Sequence, residues 1–111
     1  MKNYSSKWIL QRITAVILIP LTFWFVFICI SFSSMSYDQI IIFFSSLFNT
    51  LLFLIMIISM FIHAKLGCET IAEDYISTKN IKNFVIISIN IICYVFILIS
   101  ILSILRIMLH L

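Results

Sequence analysis

Three uncharged, mostly apolar runs constrain this chain more than any other feature: Ile13 to Phe32, Ile40 to Ile62 and Phe84 to Leu105. Each contains at least 20 residues. A hydrocarbon core about 30 Å thick is crossed by about 20 helical residues. Lipid offers no partner to an unpaired backbone group, so an isolated run of this kind must satisfy its own N–H and C=O groups by becoming helical. The many Ile and Val residues of the third run would favour strand in water. In a bilayer, length and the absence of charge outweigh that preference. The expected fold is an all-α integral membrane protein with three transmembrane helices, about 13–32, 40–66 and 84–106, and an inner loop of about 67–83, forming a single anchor domain.

Composition excludes other classes. The 111 residues are 64% hydrophobic and 10% charged, whereas a soluble domain is about half apolar and a quarter charged. Disorder needs the opposite balance. Three spans leave too little chain for a soluble catalytic domain. A cleaved signal peptide is not expected from the first run. Its 20 residues exceed a signal core of about 7–15, and Ser33-Ser34-Met35-Ser36 provides no Ala-x-Ala pattern. An organelle transit peptide is not expected either.

Charge placement gives an orientation. Lys2, Lys7 and Arg12 precede the first run, and Lys65, Lys79 and Lys82 flank the segment between the second and third, leaving Arg106 alone at the other side. Short loops rich in Lys and Arg stay on the cytoplasmic or matrix side. The N-terminus and the 67–83 segment are therefore expected inside and the C-terminus outside.

Cys29, Cys68 and Cys93 are scattered without a CxxC pair, so an iron–sulfur or zinc centre is not expected. They read as small apolar filler. Trp8, Tyr37 and Tyr75 sit where interfacial anchors belong. Asn49 and Asn90, inside spans, can hydrogen-bond between helices.

The informative stretch is His63 to Tyr75, His-Ala-Lys-Leu-Gly-Cys-Glu-Thr-Ile-Ala-Glu-Asp-Tyr. An ionisable group at membrane depth is costly and tends to face a partner. His63 is either an interhelical hydrogen-bonding group or a metal or haem ligand, since neutral imidazole is a good axial ligand to haem iron. Gly67, the single glycine, lies one turn further on the same face, where it admits either a bulky group or a crossing helix. Lys65 is placed to snorkel to the inner interface. Asp74, eleven residues after His63, falls on nearly the same face if the helix continues, and Tyr75 follows it. A phenol can donate a hydrogen bond to a carbonyl and a neighbouring acid can orient it; an anchoring Tyr in a solvated loop is the plainer reading. Arg12 is a topology signal or the partner of an acid such as Asp74 or a haem propionate.

The segment His63-Ala64-x-x-Gly67 followed by Asp74-Tyr75 resembles the signature of the smaller hydrophobic membrane anchor of succinate dehydrogenase. Trp8-Ile9-Leu10-Gln11-Arg12-Ile13-Thr14-Ala15, running on to Pro20-Leu21, resembles the start of that family's first span. The resemblance implies an anchor for a flavoprotein subunit and an iron–sulfur subunit, paired with a second, cytochrome b-type three-helix anchor. It implies membership of electron transport and the tricarboxylic acid cycle, with no nucleic-acid partner. By resemblance His63 is the axial ligand of a haem b shared between the anchors, and Tyr75 hydrogen-bonds ubiquinone with Asp74 as support. Arg12 matches an arginine near that pocket or a haem propionate. The chain itself would not bind succinate. The implied location is an inner membrane, mitochondrial or bacterial.

His110, the other histidine, lies at the far end of the third run, so a second axial ligand would have to come from a partner. Two alternatives remain open at this level: the anchor of a quinol:fumarate reductase, and a non-enzymatic three-helix membrane protein in which His63 only bridges helices.

Overall fold

The computed structural model describes residues 4–110, which form four helices, α1 (Tyr4–Phe32), α2 (Tyr37–Ser45), α3 (Leu47–Tyr75) and α4 (Lys79–Met108), with their connections and a short turn after α4. Lys2 lies outside the described residues. Three of the helices, α1, α3 and α4, are long and apolar enough to cross a membrane. With 29, 29 and 30 residues, each is about 45 Å long at about 1.5 Å per residue. They therefore outreach the hydrocarbon layer, and their polar ends extend past it.

Helix α3 is the centre of the bundle, packing against α1 on one side and α4 on the other. The outward surface is apolar: Val16, Phe23, Phe27 and Ile30 on α1 and Ile87, Ile91, Leu98 and Leu102 on α4 are all exposed. In water such a surface would aggregate; against lipid or a partner helix it is the favourable arrangement. The interior is correspondingly small and partly polar, with Thr14, Thr50, Ser59 and Glu69 buried beside Phe44, Met56, Leu66 and Cys93. Pro20 sits inside α1 without ending it, as membrane helices allow.

Two expectations about element boundaries are corrected. The second apolar run, expected as one helix from residue 40, is divided. Residues 40–45 belong to α2, and Ser46 leaves the helical region at φ −74°, ψ 122° before α3 begins. The cause is local. Ser46 accepts a hydrogen bond from the Asn49 backbone N–H (3.4 Å). The Asn49 side-chain amide donates to the Phe43 carbonyl (3.2 Å), and the Thr50 hydroxyl donates to the Phe44 carbonyl (2.7 Å). Backbone groups released by the break thus find partners within the chain, as an apolar setting requires. Asn49 closes this corner instead of bridging two spanning helices.

The inner loop expected over 67–83 is the second correction. Helix α3 runs on to Tyr75 and α4 starts at Lys79, leaving residues 76–78 as the connection. No proline or second glycine interrupts this polar stretch, and its ion pairs stabilise the helical form.

At the end of the bundle holding α2, aromatic rings fill the space between α1, α2 and α3. Trp24 packs edge-on to Phe53 (5.9 Å between centroids), Phe44 to Phe53 (5.1 Å) and Phe32 to Phe43 (5.3 Å). Edge-to-face pairs of this kind add to the area they bury. The opposite end gathers Lys7, Arg12, Lys65, Lys79 and Lys82, on the first turns of α1 and α4 and the later turns of α3.

Candidate functional site

His63 is the junction between α1 and α3. Its Nδ1 lies 3.1 Å from Thr14 Oγ1 and 3.2 Å from the Gln11 carbonyl oxygen. The Thr14 hydroxyl donates to that same carbonyl at 3.0 Å. These three contacts select a tautomer. A carbonyl oxygen only accepts, so its approach to Nδ1 is favourable only when Nδ1 carries a proton. The Thr14 proton is already committed to Gln11, so Thr14 Oγ1 likewise offers Nδ1 a lone pair. The imidazole therefore carries a proton at Nδ1, which in the neutral ring leaves Nε2 bare, an assignment that follows from the hydrogen-bond network. No described residue hydrogen-bonds Nε2.

Gly67 faces α1 where the two helices pack. A Cβ added to Gly67 would lie 3.7 Å from Nε2 of the Gln11 side chain, an ordinary contact. A Cβ would fit there, so the crossing of α1 over α3 does not depend on glycine.

The two ends of the informative stretch separate. Tyr75 follows His63 by twelve residues of continuous helix, about 18 Å along the axis, so no side chain spans the gap. Tyr75 is 83% exposed on the last residue of α3, and Asp74 beside it is exposed as well. Both lie at the end of the bundle rich in lysine, beyond the apolar part of the helix. Arg12 is exposed on α1, with its guanidinium 5.4 Å from the Trp8 ring centroid. Among the described residues it forms no ion pair with Asp74. The structure thus brings together His63 with α1, and leaves Tyr75, Asp74 and Arg12 as separate surface groups at one end.

A charged cluster inside the same stretch escaped the sequence reading. Glu69, only 2% exposed, lies between Lys7 Nζ of α1 (3.0 Å to Oε1) and Lys65 Nζ of its own helix (3.5 Å to Oε2). Glu73 extends the cluster, 3.6 Å from Lys7 Nζ. Lys65 does not snorkel outward: its ammonium faces Glu69 and lies 5.6 Å from the Tyr94 ring of α4. The cluster borders a groove of about 730 Å³ that also touches Lys82, Asn83 and Asn90. The i, i+4 spacing of Lys65 and Glu69 was a visible signal; the burial of Glu69, and its pairing with Lys7 across helices, were not.

His110 is at the other end, following α4, 3.3 Å from Ser45 of α2. It has φ 61°, the left-handed region, as the chain leaves the helix. His110 therefore lies at the α2 end of the bundle, far along the axis from His63 in the middle of α3. Cys93 is buried and its thiol contacts the Phe61 carbonyl at 3.4 Å, while Cys29 and Cys68 are exposed.

Nothing in this geometry requires haem, but the donor set fits it. A ligand to haem iron needs a neutral imidazole whose other nitrogen is tied to a carbonyl; His63 Nδ1 has that carbonyl in Gln11, which leaves Nε2 as the nitrogen that would hold the iron.

Comparison with known proteins points the same way. A family model described as succinate dehydrogenase/fumarate reductase transmembrane subunit matches residues 3–99. The chain is similar to the succinate dehydrogenase hydrophobic membrane anchor subunit of Rickettsia bellii, 34% identical over 88 residues that cover 79% of this chain and 70% of that protein. It is 32% identical over 92 residues to the subunit of the same name from Rickettsia prowazekii, covering 83% and 74%. The Rickettsia conorii protein of that name is 30% identical over 95 residues, covering 85% and 75%.

Proposed function

Because this chain belongs to the succinate dehydrogenase/fumarate reductase transmembrane subunit family, as a multi-pass membrane anchor within an oxidoreductase complex, we propose that it seats the flavoprotein and iron–sulfur subunits on an inner membrane. In this reading it pairs with a second, cytochrome b-type anchor, lends one axial ligand to a haem b and forms part of a pocket where ubiquinone is reduced. Family membership argues against the non-enzymatic three-helix alternative. The succinate dehydrogenase name carried by the relatives supports succinate oxidation over fumarate reduction.

The observation that carries the haem role is the state of His63: Nδ1 tied to Gln11 and Thr14, Nε2 bare. His63 Nε2 would hold the iron, and a haem b bound there supplies a one-electron centre in the low-dielectric part of the membrane. Because His110 lies at the α2 end of the bundle, away from His63, a second ligand to the iron would come from the partner anchor. The other proposed roles belong to the end rich in lysine. Tyr75 donates its phenolic proton to a ubiquinone carbonyl. Asp74, its neighbour, orients the phenol or returns protons from the aqueous side. Arg12 holds a propionate or a pocket acid through its guanidinium. Helix α3 links the two regions as one rigid element, keeping Tyr75 about 18 Å from His63.

The test is an optical difference spectrum of the complex purified through this chain, recorded before and after succinate. A b-type α-band that appears with succinate is the expected result. Absence of any band, with dithionite as well as succinate, would remove the haem assignment of His63. For the quinone role, Tyr75→Phe is expected to lower ubiquinone reduction about 100-fold, with assembly intact because the ring is exposed. Unchanged quinone reduction in the assembled variant would refute that role.

A further inference from the structure

We infer that Thr14 is the positioning residue of His63, its hydroxyl accepting from Nδ1–H beside the Gln11 carbonyl, orienting the ring and thereby setting how tightly and at what potential a haem is held. The inference rests on the haem reading of His63 and goes beyond it. It assigns the hydroxyl on α1 that, beside the tautomer-selecting Gln11 carbonyl, fixes the orientation of a ligand on α3.

Three observations carry it. Thr14 is only 4% exposed, although its hydroxyl would be costly to bury without partners. That hydroxyl is engaged twice, donating to the Gln11 carbonyl at 3.0 Å and lying 3.1 Å from His63 Nδ1. The Gln11 carbonyl also meets Nδ1, at 3.2 Å, closing a triangle in which each atom has one consistent role. Without Thr14, Nδ1–H would keep only the longer of its two contacts and the ring would be free to turn about its own axis. Groups that accept from the outer nitrogen of a ligating imidazole raise its basicity and fix its orientation, and their loss typically costs 10–100-fold in affinity. A more basic imidazole favours the ferric state, so removal of an acceptor moves the haem potential upward.

The experiment uses the complex purified through this chain, with Thr14→Val, Thr14→Ser and His63→Gln beside the unaltered protein. The readouts are the rate at which haem passes to apomyoglobin and the haem midpoint potential from a redox titration. Thr14→Val is expected to release haem at least about tenfold faster and to show a more positive potential. Thr14→Ser, which keeps the hydroxyl, should restore both. A Thr14→Val complex with unaltered release and potential overturns the proposal, since a loss of packing alone would not be reversed by Ser. The His63→Gln complex separates this from the underlying reading: if it keeps the b-type spectrum, His63 is not the ligand and the proposal falls with that reading. Should Thr14→Val fail to assemble, the full chain in lipid bilayers provides the second measurement. With His110→Gln in place, the ¹⁵N resonances report His63 alone. A His63 Nδ1–H resonance that shifts in Thr14→Val and returns in Thr14→Ser supports the inference, and one that Thr14→Val leaves in place overturns it.

Discussion

Glu69 lies deeper than either lysine that pairs with it, and this asymmetry determines what its loss would do. Its side chain is 3% exposed, against 17% for Lys7 and 14% for Lys65. Removing one member of a buried ion pair leaves the other charges without compensation, which costs about 3–5 kcal/mol. Glu69→Gln is therefore expected to destabilise the α1–α3 contact by about 3 kcal/mol. Glu73→Gln, at a side chain 32% exposed and 3.6 Å from Lys7, should cost about 1 kcal/mol or less. Titrating the purified chain with a denaturing detergent and following helicity checks the order; equal midpoints for the two variants would contradict it. Residue types were legible in the sequence to different depths for a physical reason. His63 stood out because an ionisable group at the edge of an apolar run is conspicuous whatever surrounds it. Glu69 did not, since its value depends on Lys7, which is 62 positions away in the chain and adjacent only once α1 and α3 pack. The same holds for Thr14. Its place in Gln11-Arg12-Ile13-Thr14-Ala15 was visible, but its contact with His63 exists only in three dimensions.

At the scale of elements, the corner between α2 and α3 shows how an apolar run can be long enough to span and still be broken. Hydropathy measures side chains, whereas the break is decided by backbone hydrogen bonds. Ser46, Asn49 and Thr50 each satisfy one backbone group near the corner, so the chain turns with those groups paired within itself. Thr50, 1% exposed and bonded to Phe44 at 2.7 Å, is the most buried of the three. Thr50→Val keeps the shape and removes the donor, leaving the Phe44 carbonyl short of a partner; a cost of about 2 kcal/mol is expected. Thr50→Ser should cost less, as it keeps the hydroxyl. Hydrogen exchange of the backbone amides around Ser46 is the direct measure, with faster exchange in the Val variant confined to the α2–α3 corner. Exchange that rises equally along α3 would show instead that Thr50 supports the whole helix. The three spanning helices were readable from length alone, because nothing in the runs competes with that signal. The corner was not, because a cluster such as Ser45-Ser46 with Asn49-Thr50 is equally compatible with an unbroken helix whose hydroxyls bond back to the preceding turn.

For the molecule as a whole, orientation follows from where the bundle gathers its charges. Continuous helices and a connection of only residues 76–78 put the start of α1, the end of α3 and the start of α4 at one end. Lys7, Arg12, Lys65, Lys79 and Lys82 all belong to that end, and Arg106 to the other. The positive-inside rule counts such short flanks. The proposed quinone residues Asp74 and Tyr75 share the end rich in lysine, so orientation also decides which aqueous compartment would supply protons to the quinone and where the iron–sulfur subunit would have to dock. If this end faces the cytoplasm or matrix, a soluble partner that oxidises succinate there can pass electrons to Tyr75's surroundings without crossing the bilayer. If it faced outward, the proposed anchor role would fail as a unit, since the pocket and the soluble subunits would be on opposite sides. Fusing reporters behind Leu111 in a bacterial host tests this. Alkaline phosphatase, active only outside the cytoplasm, is expected to be active at that site, and a green fluorescent protein that folds only in the cytoplasm should be dark. Reversing the local charge provides the control: Lys79→Glu with Lys82→Glu should lower phosphatase activity by weakening the retention of that end. A dark phosphatase and a bright fluorescent fusion in the unaltered chain would place the end rich in lysine outside and take the proposed quinone site with it.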